Sequence, residues 1–283
     1  MKIIQKNDYL IKITLIYFLI FISSQRVFAQ QDSLNFTNNK WFSENCTVQK
    51  LFDQESNTSY YVLRIKNKDA NGQVNKLHMG LADSSNGDTG TDFSRNKGTE
   101  VAINGSMGLK NLPDGKRQPV GIQIIDGVIK QELPTKTYTL GIKKDNQLVA
   151  YRPGTSASDI LKDGSHTALT AFAPLIIDHQ DAPDDIYKVT NNLIVKHPRQ
   201  VIGQFENNDL LFFSCGGRGF DGDGMTAKEM MRILKGLGVK FAFNLDGGGS
   251  TSTMIKTRNI NKKIDENGTI ERPRPNFLYI RKN

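Results

Sequence analysis

Short alternating stretches, rather than long amphipathic ones, dominate the pattern of hydrophobic and polar positions. Residues 60–65 (YYVLRI) alternate and predict a strand, and 76–81 predict a second. Residues 83–98 (DSSNGDTGTDFSRNKG) carry no apolar period and read as a loop. A short apolar strand at 100–103 runs into Asn104-Gly105-Ser106. Residues 121–125 and 128–131 flank Asp126-Gly127, the signature of a tight hairpin, and 138–142 and 147–151 flank 143–146 in the same way. Stretches 171–177, 201–205 and 209–214 add further strands. One helix is well marked. Thr226 and Glu229 have capping-box spacing, Met230, Met231, Ile233, Leu234 and Leu237 form an apolar stripe, and Gly238 is the stop. Strand 239–245 follows at once, so 209–245 reads as a strand–helix–strand unit. Loops 215–225 and 246–251 then lie together beyond strand ends, the edge where ligands gather in open sheets. The expected fold is α+β: a mixed β-sheet core with few helices, in a single domain over 59–283.

The start of the chain departs from this pattern. Lys2, Lys6 and Lys12 precede a ten-residue apolar run at 13–22, and Ala29 ends a cleavage-like Val27-Phe28-Ala29. That order predicts a secretory signal peptide over 1–29, too short to span a bilayer. The expectation is a periplasmic or extracellular protein without stable membrane insertion after cleavage. Residues 30–58 are polar, with Trp41 and Phe42 as anchors, and read as an N-terminal extension. The net charge of +8 over 283 residues is dispersed, with no basic stripe interleaved with aromatics, which argues against nucleic acid. Cys46 and Cys215 allow one bridge at most, and free thiols are the preferred reading. Four isolated histidines give no zinc pattern.

Two glycine-rich loops carry the chemistry. Residues 242–254 (AFNLDGGGSTSTM) set Asp246 between a strand and three glycines, where the N–H groups of 247–250 can cradle an anion. Residues 215–225 (CGGRGFDGDGM) hold Arg218, Asp221 and Asp223 among five glycines. A flexible surface loop is the bland alternative. The DxDG stretch also resembles part of a calcium loop, but Met225 and Thr226 break the full pattern. No cofactor is expected, with a divalent cation such as calcium left open. Arg199 and Arg218 suit a bidentate phosphate clamp, and Asn104 suits sugar hydroxyls. A sugar joined through phosphate matches this set of residue types.

Residues 197–203 (HPRQVIG), 216–254 and 272–280 (RPRPNFLYI), with VAINGS at 101–106 and VGIQIIDGVI at 120–129, resemble the phosphodiester glycosidase family. The resemblance spans 101–280. It implies a hydrolase that removes an α-linked N-acetylhexosamine from a phosphodiester, with a carbohydrate or sugar-phosphate as partner. It also maps Asn104, Arg199, Arg218, Asn244, Asp246, Gly247, Gly248 and Gly249 onto family positions, and Gly105, Ser106 and Ser250 adjoin them as substrate contacts. Asp246 is then the carboxylate that stabilises the sugar's positive centre or activates water; Asp223, a position where family members often have no carboxylate, is the second candidate from its residue type and loop alone. Arg199 and Arg218 neutralise the departing phosphate, while Asn104 and Asn244 hold the sugar. Gly216, Gln200 and the Ser106-Met107-Gly108 run depart from the family pattern around the expected pocket. They bear on substrate identity. A glycosidase for another linkage in an exopolysaccharide, and a non-catalytic sugar-phosphate-binding module, are the competing readings.

Overall fold

The computed structural model describes residues 44–108, 110–111 and 117–281. The expected leader, and the anchors Trp41 and Phe42, lie outside the described residues. Three larger sheets, a two-stranded one (Lys110–Asn111 with Arg117–Gln118) and a few short helices build the fold, in keeping with the α+β class. The largest sheet has seven strands in the order Cys46–Asp53, Thr58–Ile65, Leu210–Cys215, Arg199–Gln204, Phe241–Asn244, Ala173–Ile177 and Gln180–Asp181. A five-stranded sheet joins Leu148–Tyr151, Thr139–Ile142, Thr167–Thr170, Gln123–Ile125 and Val128–Gln131. Another runs Arg258–Asn259, Thr253–Ile255, Thr99–Asn104, Asn276–Arg281 and His78–Leu81. Among the described residues no helix is long and apolar enough to cross a membrane.

The ladders of the seven-stranded sheet are antiparallel. Leu210–Cys215 and Phe241–Asn244 do run parallel, as the crossover requires, but Arg199–Gln204 lies between them and pairs antiparallel with both. Helix Ala227–Gly236 makes the connection and packs on Ala173–Ile177. Its capping box is complete: the Thr226 hydroxyl accepts from Glu229 N, and the Glu229 carboxylate accepts from Thr226 N at 2.7 Å. Gly238 takes the left-handed φ of 74° that ends the helix. Arg199, Cys215 and Asn244 therefore meet at one sheet edge, since Arg199 is opposite Cys215 and Val201 opposite Asn244. On the other sheet face Thr253 Oγ1 donates to Gln200 and Leu148 N donates to Gln204 Oε1, tying the three sheets into one core.

Several regions differ from the sequence reading, among them strands Thr167–Thr170, Thr253–Ile255 and Asn276–Arg281, which it did not contain. Residues 83–98 are not all loop, because Gly90–Lys97 is a helix. The Thr89 hydroxyl accepts from Asp92 N, and Gly98 closes it with φ 60°. Phe93 is its one large buried side chain, stacked on Phe277 at 4.4 Å between ring centroids, so no apolar period exists to be read. Part of the segment read as an N-terminal extension, Cys46–Asp53, pairs with Thr58–Ile65 as an edge strand of the large sheet. Helix Ala157–Lys162 was also not expected.

Both cysteines are free and buried. Cys46 is in register with Ile65 and Cys215 with Tyr60, five residues along the same strand. That is roughly 16 Å at ~3.3 Å per residue, well beyond the Cα separation of about 7 Å a disulfide tolerates.

Candidate active site

Asp246 stands just beyond the end of Phe241–Asn244, and its backbone is pinned on both sides. Its N–H donates to Gly105 O at 3.1 Å, and its carbonyl accepts from Asn104 Nδ2 at 2.7 Å. Asn104 Oδ1 accepts from Ser252 N at 3.0 Å. The fully buried Asn104 amide thus holds both ends of the glycine turn and is spent on backbone, not left to meet sugar hydroxyls. Ser106 is equally buried, in a network with Gln123 and Asn276, and Gly105 packs on Asn276.

The carboxylate meets an arginine that sequence reading left without a role. Arg274 Nη2 lies 2.6 Å from Asp246 Oδ2, with side-chain exposures of 4% and 13%. Burial pulls the Arg274 guanidinium below its ordinary range, and the Asp246 charge opposes that shift. The same Nη2 donates to Ser106 O at 3.4 Å, and the Arg274 backbone is bonded to Asp88.

After Asp246 the chain makes a single turn over Gly248–Ser250. Gly248 has φ 63°, and its N–H donates to Pro198 O at 2.8 Å. A methyl group there would lie 3.0 Å from Arg218 Nη2, so the guanidinium rests directly on this glycine. At Gly249 a side chain would strike the Asp265 carboxylate and the Arg272 guanidinium, which are paired through two contacts of 2.6 and 2.7 Å. Arg272 Nη1 also reaches Ser250 Oγ at 3.5 Å. Among the described residues the N–H groups of Gly247 and Gly249 have no acceptor, so half of the expected anion cradle is open.

Arg218 is exposed, and among the described residues its side chain makes no hydrogen bond or ion pair. Its backbone is held at φ 57° by bonds between Gly217 N and Phe220 O and between Gly219 N and Gly222 O. Arg199 is the opposite case. Its Nε donates to Met225 O and its Nη2 to the carbonyls of Asn192 and Val195. Burial pulls its guanidinium down to about 10, still charged at neutral pH. These backbone contacts correct the expectation of a two-arginine phosphate clamp: only Arg218 is presented outward.

Burial, and then the charges of Arg199 and Arg218, push the His197 imidazole pKa down, and among the described residues its buried Nδ1 has no partner. Asn244 is fully buried, and among the described residues neither of its amide atoms has a hydrogen-bond partner. Cys215 donates to His197 O, and burial pushes its thiol up to about 12, so it is no nucleophile at neutral pH. Asp223 is exposed and accepts from Asn57 Nδ2 at 3.3 Å, while Asp221 pairs with Lys50 at 3.2 Å. The two DxDG carboxylates therefore serve different partners. Among the described residues no three His, Cys, Asp or Glu side chains gather as metal ligands. A cavity of about 360 Å³ is lined by Gln123, Lys130, Gln131 and Pro275 among others, but not by Asp246 or Arg218.

The family model for phosphodiester glycosidase matches residues 97–281. The chain belongs to the phosphodiester glycosidase family. Its fold is similar to the catalytic domain of zebrafish N-acetylglucosamine-1-phosphodiester alpha-N-acetylglucosaminidase, auto-inhibited by its pro-peptide. That match has a TM-score of 0.66 at 17% identity and covers 87% of this chain and 85% of that one. A hypothetical protein from Synechocystis matches with a TM-score of 0.68 at 12% identity, over 84% and 62% of the two chains. In sequence, the chain is 28% identical over 252 residues to the SPbeta prophage-derived uncharacterized protein YomE of Bacillus subtilis. The match covers 81% of this chain and 37% of that longer relative.

Proposed function

We propose that the chain is an exported hydrolase that removes an α-linked N-acetylhexosamine from a phosphodiester, cutting at the sugar's C1. The observation that carries this reading is the pairing of unlike groups across one glycine turn. Asp246 offers a carboxylate on one side, and Arg218 offers an unpaired guanidinium over Gly248 on the other. A sugar phosphodiester needs both. Its C1 gains positive charge as the bond breaks, and its phosphate departs with negative charge. Asp246 would stabilise the first or take a proton from the attacking water. Arg218 and the free N–H groups of Gly247 and Gly249 would stabilise the second. A phosphodiester is already a good leaving group, so the site has small need of a strong general acid. Arg199 and Asn104 act behind this, holding the loops that carry the chemistry. The zebrafish relative is an N-acetylglucosamine-1-phosphodiester alpha-N-acetylglucosaminidase, which supports the same substrate class. Residues 1–29 support export, which N-terminal sequencing of the mature protein would check.

The test compares a UDP-linked N-acetylhexosamine with an aryl glycoside of the same sugar. Free sugar released faster from the UDP-linked compound is the expected result. Turnover of the aryl glycoside alone would favour a different glycosidic linkage. Binding of either without turnover would make the chain a sugar-phosphate-binding module.

A further inference from the structure

The contact between Asp246 and Arg274 is one-sided. Oδ2 is buried against Arg274 Nη2 at 2.6 Å, without an aligned hydrogen bond, so charge rather than N–H direction joins them. Oδ1 has no partner among the described residues and is the oxygen that reaches the surface. The arginine cannot readily turn away, because strand Asn276–Arg281 follows it and its backbone is bonded in both directions to Asp88. An arginine serving only as filler would be poorly chosen for so buried a position. An apolar side chain of similar volume fills space without a desolvated charge. Among the described residues the buried Arg274 Nε has no partner, so burial of this guanidinium is not offset by a full set of hydrogen bonds.

The geometry points to Arg274 as the positioning residue of the reaction: it holds Oδ2 so that Oδ1 alone is presented to the sugar. This rests on Asp246 being the reacting carboxylate, as in the function proposed above. A carboxylate free to rotate about Cβ–Cγ would spend part of its time with neither oxygen on the reacting atom. Fixing one oxygen removes that freedom before substrate arrives. The consequence is specific. Loss of Arg274 lowers the rate of the bound complex, since Asp246 is still present but misaimed, and leaves substrate affinity largely alone.

The experiment uses the full chain and whichever of the UDP-linked or aryl substrates the wild type hydrolyses, so it does not depend on the phosphate. Arg274→Lys and Arg274→Ala are measured for kcat, KM and melting, and the kinetics of Arg274→Ala are repeated with added guanidinium ion. The expected result is a fall in kcat of roughly 100-fold for Arg274→Ala, typical of one preorganised electrostatic contact, with KM changed little. Guanidinium should restore part of that kcat, and Arg274→Lys should lie between the two. Near-normal kcat in a folded Arg274→Lys together with unrescued loss in Arg274→Ala would make the arginine structural and overturn the inference. A rise in KM at constant kcat would instead make Arg274 a substrate contact and overturn it too. If Arg274→Ala does not fold, the kcat and KM of Arg274→Lys decide the matter in the same way. Should the wild type favour the aryl glycoside, the phosphodiester reading fails while this test still stands.

Discussion

The strand Arg199–Gln204 has a buried polar cluster at each end, and the two are built differently. At the Gln204 end, Asn146 donates to Asn67 Oδ1 and Asn75 O and accepts from Leu77 N. Gln204 bonds both Asn146 O and Leu148 N, and Asp209 takes Arg64 on one oxygen and Asn67 N on the other. None of these side chains is left unsatisfied. At the Arg199 end, among the described residues, Asn244 has neither amide atom bonded, and His197 Nδ1, Thr251 Oγ1, Arg274 Nε and Asp246 Oδ2 lack hydrogen bonds. Each such atom costs about 1–3 kcal/mol when buried. A chain able to complete one cluster and not the other holds the second open for a partner. The far end fixes the fold, and the near end is arranged for substrate.

The sharpest way to break this contrast is at the near end. Asp246→Asn is close to isosteric and should lower kcat/KM of the folded protein by at least ~100-fold, the order of one electrostatic or acid–base group, with a lower melting temperature as well because the buried Arg274 loses its counter-charge. Near-normal turnover would remove Asp246 from the reaction. Asn146→Ala is the counterpart. It removes a side chain with three buried hydrogen bonds and should cost about 2 kcal/mol of stability, leaving kcat of the folded protein intact. Denaturant unfolding beside steady-state kinetics separates the two outcomes, and a catalytic defect in Asn146→Ala would erase the distinction between the ends.

The two arginines sharpen it further. Arg218→Lys keeps a charge but loses the planar fork, so turnover of a phosphodiester should fall roughly tenfold while an aryl glycoside of the same sugar is spared. Arg199→Lys loses bonds to three backbone carbonyls and should reduce both activities together with the melting temperature. Equal losses on both substrates in Arg218→Lys would take the phosphate out of the account.

Much of this arrangement was legible in the chain, for a physical reason. The helix after Thr226, the Asp126-Gly127 hairpin and the glycine loops at one sheet edge are local features, set by neighbours in sequence. What escaped was set by partners distant in sequence. Asn104 and Arg199 have the side chains of substrate ligands, and only the packed structure turns them toward backbone carbonyls and amides. Arg274 was visible within RPRP, but its meaning depends on Asp246, which a different sheet delivers. Helix Gly90–Lys97 had a local signal in Thr89, Asp92 and Gly98, but one buried ring gave it no periodicity. Thr226→Ala checks how far such local signals carry energy. Loss of the cap should cost about 1 kcal/mol, read as a lower unfolding midpoint, and an unchanged midpoint would mean that tertiary packing alone holds the helix.

The smallest effect expected is a slope. Burial first, then the charges of Arg199 and Arg218, push the His197 pKa below its ordinary value. The unfolded chain then binds a proton more readily than the folded one once pH falls below the ordinary histidine value of about 6.5. Stability from this group is therefore present above that pH and lost as pH falls toward the lower folded value. His78 shifts the same way, chiefly through burial with Lys76 and Arg281 adding to it, so its share of the acid slope persists when His197 is replaced. In His197→Gln, the melting temperature should fall less between about pH 7 and pH 5 than in the wild type. Parallel curves would mean that His197 holds its proton equally well folded and unfolded. In that case the two arginines do not act on it, and the near end is more open to solvent than its unpaired atoms imply.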